Sequence, residues 1–260
     1  MTESSQSQRA RLFGMQIDAV TLDQAAQQVL AWSRNDSEEG CRFVVTPNVD
    51  HAVMFQRRAD LRAAYADAAM VLADGAPLVA VSRMLRRGLP GRVAGSDLAP
   101  RLFDLADDAR TPLRVFLLGA GPGVADRAAE NIHAKWRGVN VCGTYCPPMG
   151  FQVDQYQNNL ALEAVANASP DVLLIGLGAP KQELWAHRFR PQLGARVALC
   201  VGATIDFLAG EKRRSPVWMR RAGLEWTHRL MSEPGRLAKR YAVDALLFPP
   251  LVLREWRGLC

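Results

Sequence analysis

Residues 114–123 read RVFLLGAGPG, an apolar run that passes directly into a glycine-rich turn. Val115 to Leu118 includes no polar or charged residue, as in a strand that is covered on both faces. The residues that follow, from about Val124 to Trp136, have the pattern of a helix. A strand, a tight turn and a helix in this order predict a βαβ unit and therefore a parallel sheet.

The same order recurs along the 260 residues, which are enough for one large α/β domain or for a core with an appendage. A capping box that starts at Thr21 predicts a helix to about Ser33, and Pro77 fits the first turn of another helix. We therefore expect an α/β fold with a Rossmann-like, mostly parallel sheet covered by helices on both faces. Further apolar strands are predicted at 42–45, 70–72, 139–142, 171–175 and 196–201.

The net charge of +6 comes entirely from the last fifty residues. Residues 211–260 contain 11 Lys and Arg against 5 Asp and Glu, whereas the first 210 residues contain 21 of each. Large apolar residues, among them Trp218, Trp226 and Met231, alternate with the basic ones. This pattern predicts a Rossmann-like catalytic core at 1–210 and a basic, amphipathic, helical appendage at 211–260 that associates with an anionic membrane.

Several features indicate the cytoplasm, with peripheral association at the inner leaflet of the cell membrane. The first residues contain no apolar leader segment, and no stretch approaches the ~20 apolar residues that span a bilayer. The longest apolar stretch, at 245–253, is interrupted by Pro249-Pro250, and we expect it to break there. Scattered cysteines predict reduced thiols: Cys41, Cys142, Cys146, Cys200 and Cys260.

Open parallel sheets bind ligands beyond the carboxyl ends of their strands. The polar and small residues of this chain that follow predicted strands are therefore candidates for a binding site along one rim of the sheet. They are Thr46, Asn48, Asp74, the turn at 119–123 with Gly119 and Gly121, Lys181, Gln182, Thr204 and Asp206.

Each motif has a structural alternative when it is taken alone. Asp74 could be a helix N-cap, and Gln182 could belong to a capped first turn. The 119–123 turn could be a structural turn or a nucleotide-contacting loop. It lacks the third glycine of a dinucleotide fingerprint, because position 124 is Val, and no acidic residue ends the next strand. His51 is a candidate neighbour of the site.

No metal and no cofactor are expected. The four histidines show no metal-ligand spacing, and Cys142 and Cys146 have no second pair of ligands. Asp107-Asp108 lies in a helical stretch, where it is a poor equivalent of a metal-binding motif.

Taken together, the motifs resemble the WecG/TagA/CpsF glycosyltransferase family, glycosyltransferase family 26, from about Phe13 to Tyr241. The resemblance rests on ordered motifs: Thr46-Pro47-Asn48, Ala73-Asp74-Gly75, Arg92 with Gly95-Ser96-Asp97, Leu118-Gly119 with Pro122-Gly123-Val124-Ala125, Gly178-Ala179-Pro180-Lys181-Gln182-Glu183, Val201-Gly202-Ala203 with Asp206-Phe207-Leu208-Ala209-Gly210, Arg214-Ser215-Pro216 with Trp218, and Gly223-Leu224-Glu225-Trp226 with Arg229-Leu230, Glu233-Pro234 and Arg240-Tyr241.

The resemblance implies an inverting, metal-independent hexosyltransferase of bacterial exopolysaccharide, capsule or cell-wall polymer biosynthesis. Such an enzyme moves a hexose or N-acetylhexosamine-type sugar from a UDP-sugar to a polyprenyl-diphosphate-linked sugar, and a second-sugar glucosyl transfer is one option. By motif, Asp74 is implied as the general base. Substrate contacts are implied at Thr46, Asn48, Arg92 and Gln182, and cations for the donor diphosphate in the region of Arg229, Arg236 and Arg240.

Two other classes of function are weighed against this one. A nucleic-acid-binding protein could use the basic appendage, but no RNP, helix-turn-helix or zinc signature is present, and apolar residues separate the basic ones. A nicotinamide-dependent oxidoreductase would need the acidic residue that the 119–123 motif lacks. Whether the chain forms a homo-oligomer is left open.

Overall fold

The computed structural model describes residues 8–35 and 40–258. Two predictions concern residues outside the described ones: the lack of an apolar leader, which includes residues 1–7, and the reduced thiol of Cys260. The described part begins with a feature that the sequence patterns did not predict, an antiparallel hairpin of β1 (Arg9–Leu12) and β2 (Met15–Asp18).

Six parallel strands form the central sheet, in the order β4-β3-β8-β7-β5-β6. All six predicted apolar strands are present, and the Rossmann-like fold is confirmed. Their bounds are β3 (Arg42–Val45), β4 (Met70–Val71), β5 (Leu113–Gly119), β6 (Val139–Tyr145), β7 (Val172–Gly176) and β8 (Val197–Cys200).

Helices cover both faces of the sheet. On one face α1, α5, α6 and α9 enclose one hydrophobic cluster, and α2, α3, α4, α7, α8 and α12 enclose another on the opposite face. The bounds are α1 (Leu22–Trp32), α2 (Val49–Phe55), α3 (Ala59–Ala66), α4 (Ala76–Met84), α5 (Gly95–Asp108), α6 (Val124–Lys135), α7 (Gln155–Ala168), α8 (Lys181–Phe189), α9 (Thr204–Leu208), α10 (Val217–Arg221), α11 (Glu225–Ser232) and α12 (Pro234–Trp256).

Local sequence signals account for several helix boundaries. The predicted capping box is present, since the backbone N–H of Thr21 donates to Gln24 Oε1 at 2.9 Å and that of Gln24 donates to Thr21 Oγ1 at 3.3 Å. Pro77 lies in the first turn of α4, where its missing N–H leaves no helical bond unmade.

Helix α12 is continuous from Pro234 to Trp256, so the expectation of a break at Pro249-Pro250 is wrong. Contacts with the rest of the protein hold this part of the helix. The ring of Phe248 lies 5.3 Å from that of Phe13, and Leu251 is buried. The backbone N–H of Phe13 also donates to Glu255 Oε2 at 2.9 Å. These contacts offset the hydrogen bonds that two prolines remove from the helix.

Among residues 8–35 and 40–258, no helix combines the length and the hydropathy that crossing a bilayer requires. The four described cysteines, at positions 41, 142, 146 and 200, are free thiols. The division of the chain at residue 210 stays a prediction.

Candidate active site

A cavity of about 890 Å³ opens beyond the carboxyl ends of the sheet strands. Thr204, Pro122 and Gly123 do not line it, but the other residues that the sequence proposed for catalysis or binding do, so the fold brings together groups separated by almost two hundred positions. These residues are Thr46, Asn48, Asp74, Arg92, Gly119, Gly121, Lys181, Gln182, Asp206, Arg229, Arg236 and Arg240. What each of them does there stays a prediction.

The glycine-rich turn after β5 forms part of the cavity wall. Gly119 has φ +109°, and a Cβ at this position would lie 2.7 Å from the carbonyl oxygen of Gly176, at the end of the neighbouring strand β7. Only glycine tolerates both the conformation and this approach. The turn is therefore required by the packing of the two strand ends, whatever it binds.

A hydrogen-bonded series of buried and partly buried polar side chains lies at the cavity. His51 Nε2 donates to Glu183 Oε1 at 3.2 Å, and the same oxygen accepts from Gln182 Nε2 at 2.8 Å. On its other side, His51 Nδ1 lies 2.9 Å from Asn48 Oδ1. Gln182 Oε1 in turn accepts from the backbone N–H of Gly202 at 3.0 Å.

These hydrogen bonds fix the amide side chains of Asn48 and Gln182, which the sequence proposed as substrate contacts. Burial lowers the pKa of His51, but the hydrogen bond and the charge of Glu183 outweigh it, so the pKa is raised above its ordinary value. Glu183 is fully buried, and His51 is its charged or hydrogen-bonding partner. Asn48 also caps helix α2, so its orientation is fixed twice. Thr46 is buried beside them and donates to the carbonyl of Cys200 at 3.2 Å.

Asp74 follows strand β4, and its carboxylate is partly exposed to the cavity. The N-cap of α4 is Gly75, so capping does not explain Asp74. No hydrogen bond from a described residue reaches its carboxylate. Burial raises the pKa of Asp74 to about 6, with a further increase from Glu225, while Arg92 and Arg229 oppose the rise. An unbonded carboxylate with this pKa can accept a proton near neutral pH.

An ionic cluster joins the C-terminal helices to the region around Asp74. Arg92 pairs with Asp97 at 2.8 Å and with Glu225, on α11, at 2.5 Å. Asp97 also accepts from Arg214 at 2.8 Å. Nearby, Gly223 lies so close to α4 that a Cβ there would be 2.8 Å from that of Ala76, two residues after Asp74. The C-terminal helices therefore form one wall of the cavity.

The three arginines proposed for the diphosphate reach the cavity from α11 and α12. Arg236 pairs with Glu233 at 2.8 Å, and Arg240 lies 3.5 Å from Asp50 Oδ2. Arg229 makes no ion pair with any residue that the structure describes, and its charge acts on Asp74. The Oδ1 atom of Asp206 lies 3.8 Å from Lys212 Nζ.

Two acidic residues of the cavity, Asp50 and Asp244, were missed by the sequence analysis. Asp244 could have been found, because it lies four positions after Arg240 on an amphipathic helix and so shares its face. Over the ranges 8–35 and 40–258, no group of three or more His, Cys, Asp or Glu side chains is arranged to hold a metal ion. Metal independence itself stays a prediction.

Comparison with known proteins points in one direction. The sequence profile of the glycosyl transferase WecG/TagA/CpsF family matches residues 10–259. A Bacillus spizizenii protein named N-acetylglucosaminyldiphosphoundecaprenol N-acetyl-beta-D-mannosaminyltransferase is 30% identical over 208 residues, which cover 80% of this chain and 77% of that protein. A Staphylococcus aureus protein of the same name is 24% identical over 249 residues, covering 95% and 93%.

Proposed function

Because the chain belongs to the WecG/TagA/CpsF family of glycosyltransferases, we propose that it transfers a hexose or N-acetylhexosamine from a UDP-sugar to a polyprenyl-diphosphate-linked sugar. The acceptor class is supported by the names of the two relatives, which both specify a diphosphoundecaprenol-linked sugar. The nucleic-acid-binding and oxidoreductase alternatives are set aside, because neither is a glycosyl transfer. The observation that carries the proposal is the unbonded carboxylate of Asp74, which shares one cavity with three arginines of α11 and α12.

Asp74 acts as the general base in the proposed reaction. Its carboxylate takes the proton of an acceptor hydroxyl as the hydroxyl oxygen attacks the anomeric carbon of the donor sugar. The bond between this carbon and the phosphate oxygen breaks on the opposite face, so the configuration inverts and UDP leaves with the electron pair. A pKa of about 6 keeps Asp74 mostly deprotonated at pH 7 and leaves it basic enough to accept the proton.

The departing diphosphate needs positive charge. Arg229, Arg236 and Arg240 line the cavity and supply it, and their planar donor groups suit phosphate oxygens. Fixed cations in a site screened from water stabilise developing charge without reorganising during the reaction. We therefore propose that the transfer is metal-independent.

The exposed faces of the C-terminal helices support association with a membrane. On α12, Leu246, Leu253 and Trp256 are exposed and share one side of the helix. Trp218 on α10 and Met231 on α11 add further exposed apolar surface. Basic residues accompany them, and each Lys or Arg near an anionic leaflet contributes about 1 kcal/mol. Peripheral attachment at the inner leaflet would bring the cavity to its lipid-linked acceptor.

The donor class can be tested by thermal shift. We expect UDP to raise the Tm, and one UDP-hexose or UDP-N-acetylhexosamine to raise it further, because a ligand that binds only the folded state stabilises it by mass action. The panel comprises UDP-glucose, UDP-galactose, UDP-N-acetylglucosamine, UDP-N-acetylmannosamine and the corresponding uronates, with ADP-glucose and NAD as controls. Transfer from the selected donor to a GlcNAc-diphosphate lipid is then measured. Stabilisation by NAD and not by UDP would contradict the proposal.

Membrane attachment can be tested with Leu246→Glu, which places a charge on a side chain that is 74% exposed and outside the cavity. We expect binding to vesicles of anionic phospholipid to weaken by about tenfold or more, since inserting a leucine side chain contributes about 1.5–3 kcal/mol. Sedimentation with liposomes measures it, and UDP affinity should not change. Tyr156→Glu, an exposed aromatic residue on α7, is the matched control. Equal binding of both variants and the wild type would refute the attachment.

A further inference from the structure

One side of α12 lines the cavity, and its chemical character changes along the helix. Arg236, Arg240, Asp244 and Phe248 follow at intervals of four residues, so they share one face. Each step advances by about 6 Å along the axis. The cavity wall is therefore cationic, then acidic, then apolar. The proposed mechanism uses the cationic part and leaves the acidic part without a role.

Only 7% of the Asp244 surface is exposed, and the residue lines the cavity. No described residue donates a hydrogen bond to its carboxylate. Burial raises the pKa of Asp244 to about 6, and the charge of Asp50 raises it further against the opposing effects of Arg240 and His51. Even partial withdrawal of a carboxylate from water is costly when no protein group donates a hydrogen bond to it. A group retained under these conditions is suited to a ligand that supplies donors.

The surroundings define the kind of donor. Asp50, on α2, also lines the cavity, and its carboxylate is engaged by Arg240 at 3.5 Å. An anionic ligand group would be repelled by the carboxylates of Asp50 and Asp244. A metal ion would lack a third ligand, because both ring nitrogens of His51 are already engaged by Asn48 and Glu183. Uncharged hydroxyl groups are suitable partners, since each can donate to a carboxylate oxygen.

Two aromatic rings also line the cavity, and one of them, Tyr241, lies three positions before Asp244 on α12. The other is Trp226, and the two ring centroids lie 6.3 Å apart. Their apolar surfaces offer a site for the C–H face of a sugar, while Asp244 accepts from its hydroxyl groups. Carboxylates, an arginine and aromatic rings around one space are complementary to a pyranose.

We propose that Asp244, with Asp50 beside it, forms a subsite for the hydroxyl groups of an uncharged pyranose and discriminates against a uronate. This inference rests on the proposed function, because it takes the ligand to be a sugar of the transfer reaction. That sugar is either the one attached to UDP or the one attached to the lipid diphosphate.

The test measures binding without turnover. Calorimetry compares UDP, the UDP-hexose selected by the donor screen, its uronate counterpart and a GlcNAc-diphosphate carrying a short alkyl chain. The proteins are the wild type, Asp244→Ala, Asp244→Asn and, as a matched control, Asp108→Ala, an exposed aspartate at the end of α5. We expect Asp244→Ala to weaken one sugar ligand about tenfold or more, because a hydrogen bond to a charged group is lost. UDP affinity should stay within twofold.

The pattern of losses identifies the source of the sugar. Weaker binding of the UDP-hexose assigns the subsite to the transferred sugar, and weaker binding of the alkyl compound assigns it to the acceptor. In the first case, Asp244→Asn should also reduce the preference for the uncharged donor over the uronate. Unchanged binding of both sugar ligands in Asp244→Ala would overturn the subsite, as would an equal loss for UDP. Wild-type protein that binds these ligands but transfers no sugar would refute the proposed function alone.

Discussion

Asp74→Asn is expected to lower kcat by about 10²- to 10⁴-fold, the usual contribution of a general base. The amide keeps the size of the side chain but cannot take the acceptor proton. UDP affinity should remain close to that of the wild type, since in the proposed mechanism the carboxylate contacts the reacting hydroxyl and not the nucleotide. Steady-state transfer to the lipid-linked acceptor measures the loss, and calorimetry with UDP measures nucleotide binding.

The pH profile gives this prediction a second readout. The raised pKa means that Asp74 is protonated below about pH 6, so the kcat/KM of the wild type should fall as the pH decreases through this value. Asp244 has a similar pKa and could produce the same limb. The limb should therefore persist in Asp244→Asn. Near-normal turnover of Asp74→Asn, or a limb that disappears only in Asp244→Asn, would remove Asp74 from the role of base.

Arg229→Ala is expected to lower kcat by about 10²- to 10³-fold, the range found when one fixed donor to a developing anion is removed. Arg229 is the best of the three arginines for this test, because Glu233 and Asp50 already pair with the other two. Arg229→Lys should recover part of the activity, since it keeps the charge and loses the planar fork. Arg137→Ala, which removes an exposed arginine after α6, is the matched control.

Arg229→Ala should also move the pH profile in a defined direction. The positive charge of Arg229 lowers the pKa of Asp74, so its removal should shift the acidic limb of kcat/KM to higher pH. A lysine at this position should restore most of the shift. Loss of activity in Arg229→Ala with an unmoved limb would place Arg229 away from Asp74, and unchanged kcat would exclude it from catalysis.

The sheet was predictable because most of its strands are apolar runs followed within a few positions by glycine or a small polar residue; the exception is β6, which contains Asn140 and Thr144. The N-terminal hairpin was not, since β1 and β2 are four-residue strands joined by Phe13-Gly14, which is too short a pattern to stand out. The continuous course of α12 was missed for another reason. Pro249-Pro250 disfavours a helix locally, and the contacts of Phe248 and Leu251 that stabilise it are distant in sequence.

The candidate site was accessible to sequence analysis where it lies at the ends of strands, as with Asp74 and Gly119. The hydrogen-bonded series from Asn48 through His51 to Gln182 could not be predicted. It joins α2 to α8, and His51 and Glu183 are 132 positions apart in the sequence. Asp50 and Asp244 become a pair only when α12 packs against α2. Tertiary contacts of this kind leave no local pattern.

Helix α12 has two useful sides that share no residue. Positions 236, 240, 244 and 248 point inward, and positions 246, 253 and 256 point outward. Substitutions can therefore change one side of the helix and leave the other side unchanged. Under the proposed function, a few inward replacements would change the sugar that is bound and would leave the proposed membrane contact unchanged.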